Sequence, residues 1–217
     1  ICVVEVEGLN KLVTACNTKV KAGMNITTDS PAVIESRKNT LHLLMTELNN
    51  CFKCIKNGAC ELQAMAREYG IDVPNFKSSH GDVQHEPFDA HPFLSYDPGL
   101  CIQCQRCIST CAKATGRHAL SLERNGARVY VKVPFGEGWE NSLCESCGNC
   151  AQACPTGALT IKRRKDYREW EVKKVRTTCP HCATGCQMDL YVKDGKIVDV
   201  QGADGPSNHN HALCQRT

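Results

Sequence analysis

The sequence predicts an α+β chain assembled from several small modules that are stapled by their cysteines rather than by one large apolar core. Three observations predict it. Cysteine makes up 17 of 217 residues, aromatic side chains only 6%, and the cysteines recur in short spacings between helical or alternating apolar stretches. With 41% apolar residues and so few aromatics, a single core of ordinary size cannot be built. Disulfides explain the cysteines poorly, because 17 is odd and disulfide-dense frameworks usually run below about 80 to 100 residues.

Charge excludes some partners. Twenty-six basic against 23 acidic side chains leave a formal charge of +3, too little for the basic face of a nucleic-acid-binding domain. The run Lys162, Arg163, Arg164, Lys165 reads as a solvated linker rather than a phosphate track. No stretch approaches the roughly 18 apolar residues of a membrane helix, and no charged, apolar and small-residue leader opens the chain. The expectation is a cytoplasmic protein without membrane insertion and without a nucleic-acid partner.

The spacings point to iron–sulfur ligation. Cys101, Cys104, Cys107 and Cys111 form C-x2-C-x2-C-x3-C, and Cys144, Cys147, Cys150 and Cys154 repeat it with Pro155 behind. This is the bacterial two-cluster ferredoxin run, in which the fourth sulfur crosses to the other cluster. Cys101, Cys104, Cys107 and Cys154 are thus assigned to one 4Fe–4S centre, and Cys144, Cys147, Cys150 and Cys111 to its partner. Zinc also uses C-x2-C pairs, but as two separated pairs rather than a triple run with a distal cysteine. Between the runs, residues 120–133 alternate around Asn125-Gly126 and read as a hairpin.

Upstream, Ser30 can cap a helix that begins at Pro31 and carries Val33, Leu41, Leu44, Met45 and Leu48 at helical spacing. It leads to Cys51, Cys54 and Cys60, three ligands for a fourth 4Fe–4S cluster whose last iron falls to Glu47 or His42. Downstream, Cys179, Cys182, Cys186 and Cys214 form C-x2-C-x3-C-x27-C around a hairpin that turns at Asp194-Gly195. A 4Fe–4S cluster fits this set, with zinc the competing reading. Cys2 and Cys16 are two of the four thiols that a plant-type 2Fe–2S centre needs. A preceding segment carrying the other two is expected. Pro74, Ser78, Ser79, Gly81 and Pro87, without periodicity, mark residues 71–92 as a linker. His80, His85, His91, His118, His181, His209 and His211 show no ligand spacing and are read as surface or cluster-shell residues.

In this order the sites resemble the iron–sulfur part of the large subunit of NAD-dependent molybdenum or tungsten formate dehydrogenases. The resemblance rests on Val4 to Gly8 and Thr14 to Cys16, on Ser30, Val33, Arg37, Lys38, Leu43 and Leu44 before the Cys51 group, and on Cys179-Pro-His-Cys-Ala-Thr-Gly-Cys with Leu213-Cys214. It implies five parts: residues 1–27 ending a 2Fe–2S ferredoxin domain, 28–70 a helical cluster domain like that of respiratory complex I, 71–92 the linker, 93–165 the two-cluster domain, and 172–217 a small β-rich 4Fe–4S domain that opens a molybdopterin oxidoreductase. The family places histidine where Glu47 stands, and a pterin-facing lysine where Arg216 stands, so Arg216 becomes the implied relay residue. The resemblance further implies a molybdenum or tungsten bis-pterin site beyond residue 217, flavin- and NAD-binding and ferredoxin-type partner subunits, and no catalytic residue within these 217. Two other readings share the same modules: a relay of an electron-bifurcating hydrogenase or complex I-like NADH dehydrogenase, and a stand-alone connector.

Overall fold

The computed structural model describes residues 2–46, 48, 54–71, 91–125, 128–133, 138–162, 167–208 and 211–214. They fall into two compact units, Ile1–Leu48 with Glu61–Asp82, and Asn49–Cys60 with Val83–Thr217. Among the described residues no helix is long and apolar enough to cross a membrane.

In the first unit, β1 (Val3–Val6) is the middle strand of a three-stranded antiparallel sheet, between β2 (Val13–Thr14) and β3 (Ile26–Thr27). Its alternation buries Val4 and Val6 on one face, as a strand of period two must when one face is covered. Helix α1 (Pro31–Thr46) packs on β1 and on α2 (Glu61–Glu68). Ser30 Oγ accepts from the Val33 amide at 3.4 Å, and proline occupies the first helical position, where its missing N–H costs nothing. Val33 and Leu41 are wholly buried, and Leu62 and Ala66 of α2 join them. Arg37 ties the layers, donating to Val3 O at 3.1 Å and to Tyr69 Oη at 3.3 Å.

The second unit contains a ferredoxin-like core. Strands β4 (Leu94–Tyr96) and β7 (Leu159–Ile161) pair antiparallel across the length of the module. Between them in sequence come α3 (Arg106–Thr110), which runs into a π-helical turn at Cys111–Thr115, the hairpin β5 (Ser121–Asn125) and β6 (Arg128–Lys132), and α4 (Asn149–Ala153). α3 packs on α4, and Leu94, Tyr96, Leu120, Val131, Trp139 and Leu159 fill the core. The hairpin register pairs Asn125 with Arg128, so Asn125 ends a strand instead of forming the turn.

The last module is an antiparallel sheet of β8 (Lys173–Thr178), β9 (Gln187–Lys193) and β10 (Lys196–Gly202), in the order β10-β9-β8. The expected turn at Asp194-Gly195 is present, both residues at positive φ (49° and 75°), which matches the twist of the flanking strands. β8 and α2 have no counterpart in the sequence reading. The expected linker at 71–92 lies almost wholly outside the described residues, but His91 at its end is packed into the ferredoxin-like core and only 2% exposed.

Leu41→Ala should destabilise the first unit by about 2–5 kcal/mol, the cost of emptying a fully buried leucine site. A fall in its urea-unfolding midpoint, with the second unit's transition unmoved, is the expected reading.

Candidate metal centres

The two ferredoxin-type runs fold into the same loop twice. Gln103 and Gln105 in the first run, and Ser146 and Gly148 in the second, hold equivalent places and all take positive φ. Each pair turns the chain so that backbone amides face inward, an arrangement that suits anionic sulfur. The Ser146 amide lies 3.4 Å from Cys144 Sγ, and the Gln103 amide donates to the Cys101 sulfur. Each loop then enters a short helix, α3 after Gln105 and α4 after Gly148. The distal cysteines sit where those helices end, Cys111 at the start of the π-helical turn and Cys154 as the cap of α4.

Packing α3 against α4 crosses the runs. Burial pushes the Cys107 thiol up to about 12, with Cys154, Cys101 and Cys104 adding like charge. Burial likewise raises Cys101, with Cys154 and Cys104 nearby. On the other side burial raises Cys150, helped by Cys147, Cys107, Cys144 and Cys111, and raises Cys144, helped by Cys147 and Cys111. Cys111, Cys144, Cys147 and Cys150 line one cavity whose other walls include Leu94 and Trp139. Among the described residues no three His, Cys, Asp or Glu side chains converge tightly enough to hold a single metal ion, whereas a polynuclear cluster spreads its thiolates over separate irons. Buried thiols, inward amides and apolar walls are the donor set and surroundings that iron–sulfur clusters use.

Side chains also reach these sulfurs. The Tyr96 hydroxyl accepts from the Val131 amide at 3.2 Å and hydrogen-bonds the Cys101 sulfur. His91 Nε2 stands 3.5 Å from Cys144 Sγ. Neither contact has a sequence signature: His91 is 53 residues from Cys144, and Tyr96, though close to Cys101 in sequence, belongs to no ligand spacing.

In the last module, the Cys179 amide donates to Cys186 O at 2.8 Å, closing the ligand loop, and Cys179 packs with Met188 and Leu213. Cys182 and Cys214 are exposed, and His181, within the same loop, is exposed as well. Arg216 lies outside the described residues. At the beginning of the chain, Cys2 and Cys16 face each other with sulfurs 3.5 Å apart, both exposed. Their shared hydrogen bond holds Cys2 below and Cys16 above the ordinary thiol value. Of the Cys51 group, Cys54 and Cys60 are half-buried, whereas Cys51 and Glu47 lie outside the described residues. His42 is a buried residue of α1, in the first unit.

Five contacts join the thiol-bearing segments of the second unit. Lys56 Nζ donates to Cys154 O at 2.5 Å, and Cys60 Sγ approaches Pro155 O at 3.5 Å. A Cβ added to Gly157 would collide with Cys54 Sγ, so only glycine lets the Cys54 loop lie against the segment after Cys154. On the far side, Asn149 Oδ1 accepts from the Leu213 amide at 2.9 Å and Gln152 Oε1 from the Gly202 amide at 3.1 Å, both from α4. Between them a cavity of about 690 Å³ is lined by Cys147 of the ferredoxin-like core and by Cys186 and Cys214 of the last module.

Comparison with known proteins agrees with these modules. The molybdopterin oxidoreductase Fe4S4 domain matches residues 172–217, the ferredoxin-like domain of NADH-quinone oxidoreductase subunit 3 residues 92–160, and the NADH-ubiquinone oxidoreductase-G iron–sulfur binding region residues 37–74. An NADH-quinone oxidoreductase subunit of Rhizobium meliloti is 34% identical over 220 residues, covering 100% of this chain and 25% of that protein. The three matched segments are iron–sulfur domains of the kinds that NADH-quinone oxidoreductases and molybdopterin oxidoreductases carry. A protein of Staphylococcus haemolyticus whose name assigns it provisionally as a formate dehydrogenase is 28% identical, over 95% of this chain and 25% of its own length. A crystal structure of an NAD+-reducing [NiFe]-hydrogenase in the H2-reduced state superposes with a TM-score of 0.65 at 29% identity, covering 74% of this chain and 68% of that one. The iron–sulfur region thus spans about a quarter of the length of these two curated relatives. These relatives are named as oxidoreductases or their subunits, and the segments of this chain that match family models are iron–sulfur domains.

Two substitutions test the alignment of the centres. Asn149→Ala leaves the buried Leu213 amide without its acceptor, a loss of about 1–3 kcal/mol; the thermal midpoint of the second unit should fall, and Asn149→Asp, which keeps the acceptor oxygen, should restore it. Gly157→Ala should cost about 1–3 kcal/mol of overpacking and weaken the magnetic coupling between the neighbouring reduced centres in electron paramagnetic resonance.

Proposed function

We propose that this chain is the electron relay between a molybdopterin site carrying molybdenum or tungsten, beyond residue 217, that oxidises formate, and a flavin- and NAD-binding partner subunit. The carrying observation is the unbroken file of thiol sites in the second unit. The Cys54 loop lies on the segment after Cys154, the two ferredoxin-type runs interlock through α3 and α4, and Cys147 shares a cavity with Cys186 and Cys214. The file ends in the module that matches the molybdopterin oxidoreductase Fe4S4 domain, which supports a molybdopterin site at that end of the relay.

The ligand sets are Cys101, Cys104, Cys107 and Cys154; Cys111, Cys144, Cys147 and Cys150; Cys179, Cys182, Cys186 and Cys214; and Cys51, Cys54 and Cys60 with Glu47 or His42. Cys2 and Cys16 are a partial ligand set of a 2Fe–2S site. Bound clusters supply one-electron carriers. Formate yields carbon dioxide, one proton and two electrons; the electrons travel one at a time, and NAD+ takes up both with one proton to give NADH. The chain's own residues space the carriers through Gly157, Lys56, Asn149 and Gln152, and exclude water with Leu94, Leu120 and Trp139. Arg216 is the residue expected to face the pterin.

A second reading has its own support: the relay of an NADH-quinone oxidoreductase or of an NAD-reducing hydrogenase, favoured by the Rhizobium relative and the hydrogenase structure. In the intact complex isolated anaerobically, the proposal expects molybdenum or tungsten by elemental analysis, and bleaching of cluster absorbance by formate but not by hydrogen. Bleaching by hydrogen alone, or a complex free of both metals, overturns it in favour of the second reading.

A further inference from the structure

We infer that His91 is a fixed hydrogen-bond donor to the Cys144 sulfur and raises the reduction potential of the centre that Cys144 holds. The inference rests on the relay reading for the role of Cys144 and goes beyond it. His91 is 53 residues from Cys144 in sequence and only 2% exposed. Its Nδ1 faces two backbone amides, those of Phe93 at 3.0 Å and Leu94 at 2.9 Å. Backbone amides only donate, so Nδ1 is the acceptor and the ring proton of the neutral imidazole resides on Nε2. Nε2 stands 3.5 Å from Cys144 Sγ and 3.5 Å from Ser146 Oγ, so its N–H is directed at the ligand loop. The ring cannot turn away. It meets Trp139 edge-on, centroids 4.8 Å apart at 87°, and both amides hold its other nitrogen.

The physical consequence is a bias between oxidation states. Adding an electron to a cluster increases the negative charge on its sulfurs, so a donor aimed at a ligand sulfur stabilises the reduced state more than the oxidised one. The other run carries a different partner, the Tyr96 hydroxyl at Cys101. The interlocked centres thereby receive unlike donors although their loops are alike.

The test is a redox titration of the full-length holo-protein followed by electron paramagnetic resonance. His91→Asn keeps an acceptor oxygen for the two amides but has no donor that reaches Cys144; His91→Gln restores a donor nitrogen near the position of Nε2. His91→Asn should lower the midpoint potential of one 4Fe–4S centre, with its reduced-to-oxidised ratio at fixed potential falling about tenfold, roughly 59 mV for a one-electron couple. The other centres should not move, and His91→Gln should recover part of the shift. Pulsed resonance on wild-type protein labelled with 15N-histidine should show a weak nitrogen coupling to that reduced centre. Unchanged potentials in a fully loaded His91→Asn protein overturn the inference, as does a wild-type spectrum without the nitrogen coupling, which needs no variant to fold. If Cys144→Ser leaves every cluster signal intact, the relay assignment of Cys144 itself falls, a result separate from the other two.

Discussion

Thiol burial is the constraint on which the second unit depends. Four-sulfur ligation needs thiolates, yet the interior that surrounds these sulfurs penalises them, as the upward shifts of Cys101, Cys107, Cys144 and Cys150 record. Charge can be held there only if something positive accepts it. Among the described residues no Lys or Arg belongs to the buried core, so inward amides and iron must do so together, and folding is linked to loading. The positive-φ loops follow from the same demand. They turn amides toward sulfur at a local backbone cost of about 1–2 kcal/mol for each side-chain-bearing residue, which Gly148 avoids in the second run and Gln105 does not in the first.

Interlocking the runs adds a second layer to this linkage. Because Cys111 and Cys154 each finish a helix that starts in their own run but stand beside the thiols of the other, neither loop can be loaded without ordering both helices. The same helices leave side chains free to join neighbouring modules. α4 is five residues long, yet it brings Cys150 to the cavity that Cys111, Cys144 and Cys147 line, and Asn149 and Gln152 to the last module. Lys56 and Gly157 do the corresponding work on the other side.

Much of this organisation was legible in the chain. The cysteine spacings marked the two runs that fold as twin loops, Ser30-Pro31 marked the start of α1, and Asp194-Gly195 marked a tight turn, because each of these signals is local. What escaped was non-local or unpatterned. β8 reads Lys173 to Thr178 with almost every residue exposed, so it has no apolar alternation and exists because β9 offers an edge. α2 is short, with only Leu62 and Ala66 buried. The hairpin register slid by one residue from expectation because pairing of Asn125 with Arg128 is decided by the core under Val131, not by the Asn-Gly dipeptide. His91, Asn149 and Lys56 act on partners dozens of residues away, and no spacing rule reports such contacts.

The double use of α4 bears on how far these parts can be separated. A cut in the basic stretch after β7 would sever no strand pairing, and by the usual criteria would free a tidy ferredoxin-sized piece. That piece would nevertheless carry Asn149, 5% exposed in the intact fold, and the neighbouring face of α4 out into solvent. Its cut surface would expose the Asn149 and Gln152 oxygens, which the Leu213 and Gly202 amides satisfy in the intact fold. The seam visible in the sequence is therefore not the seam along which the protein comes apart.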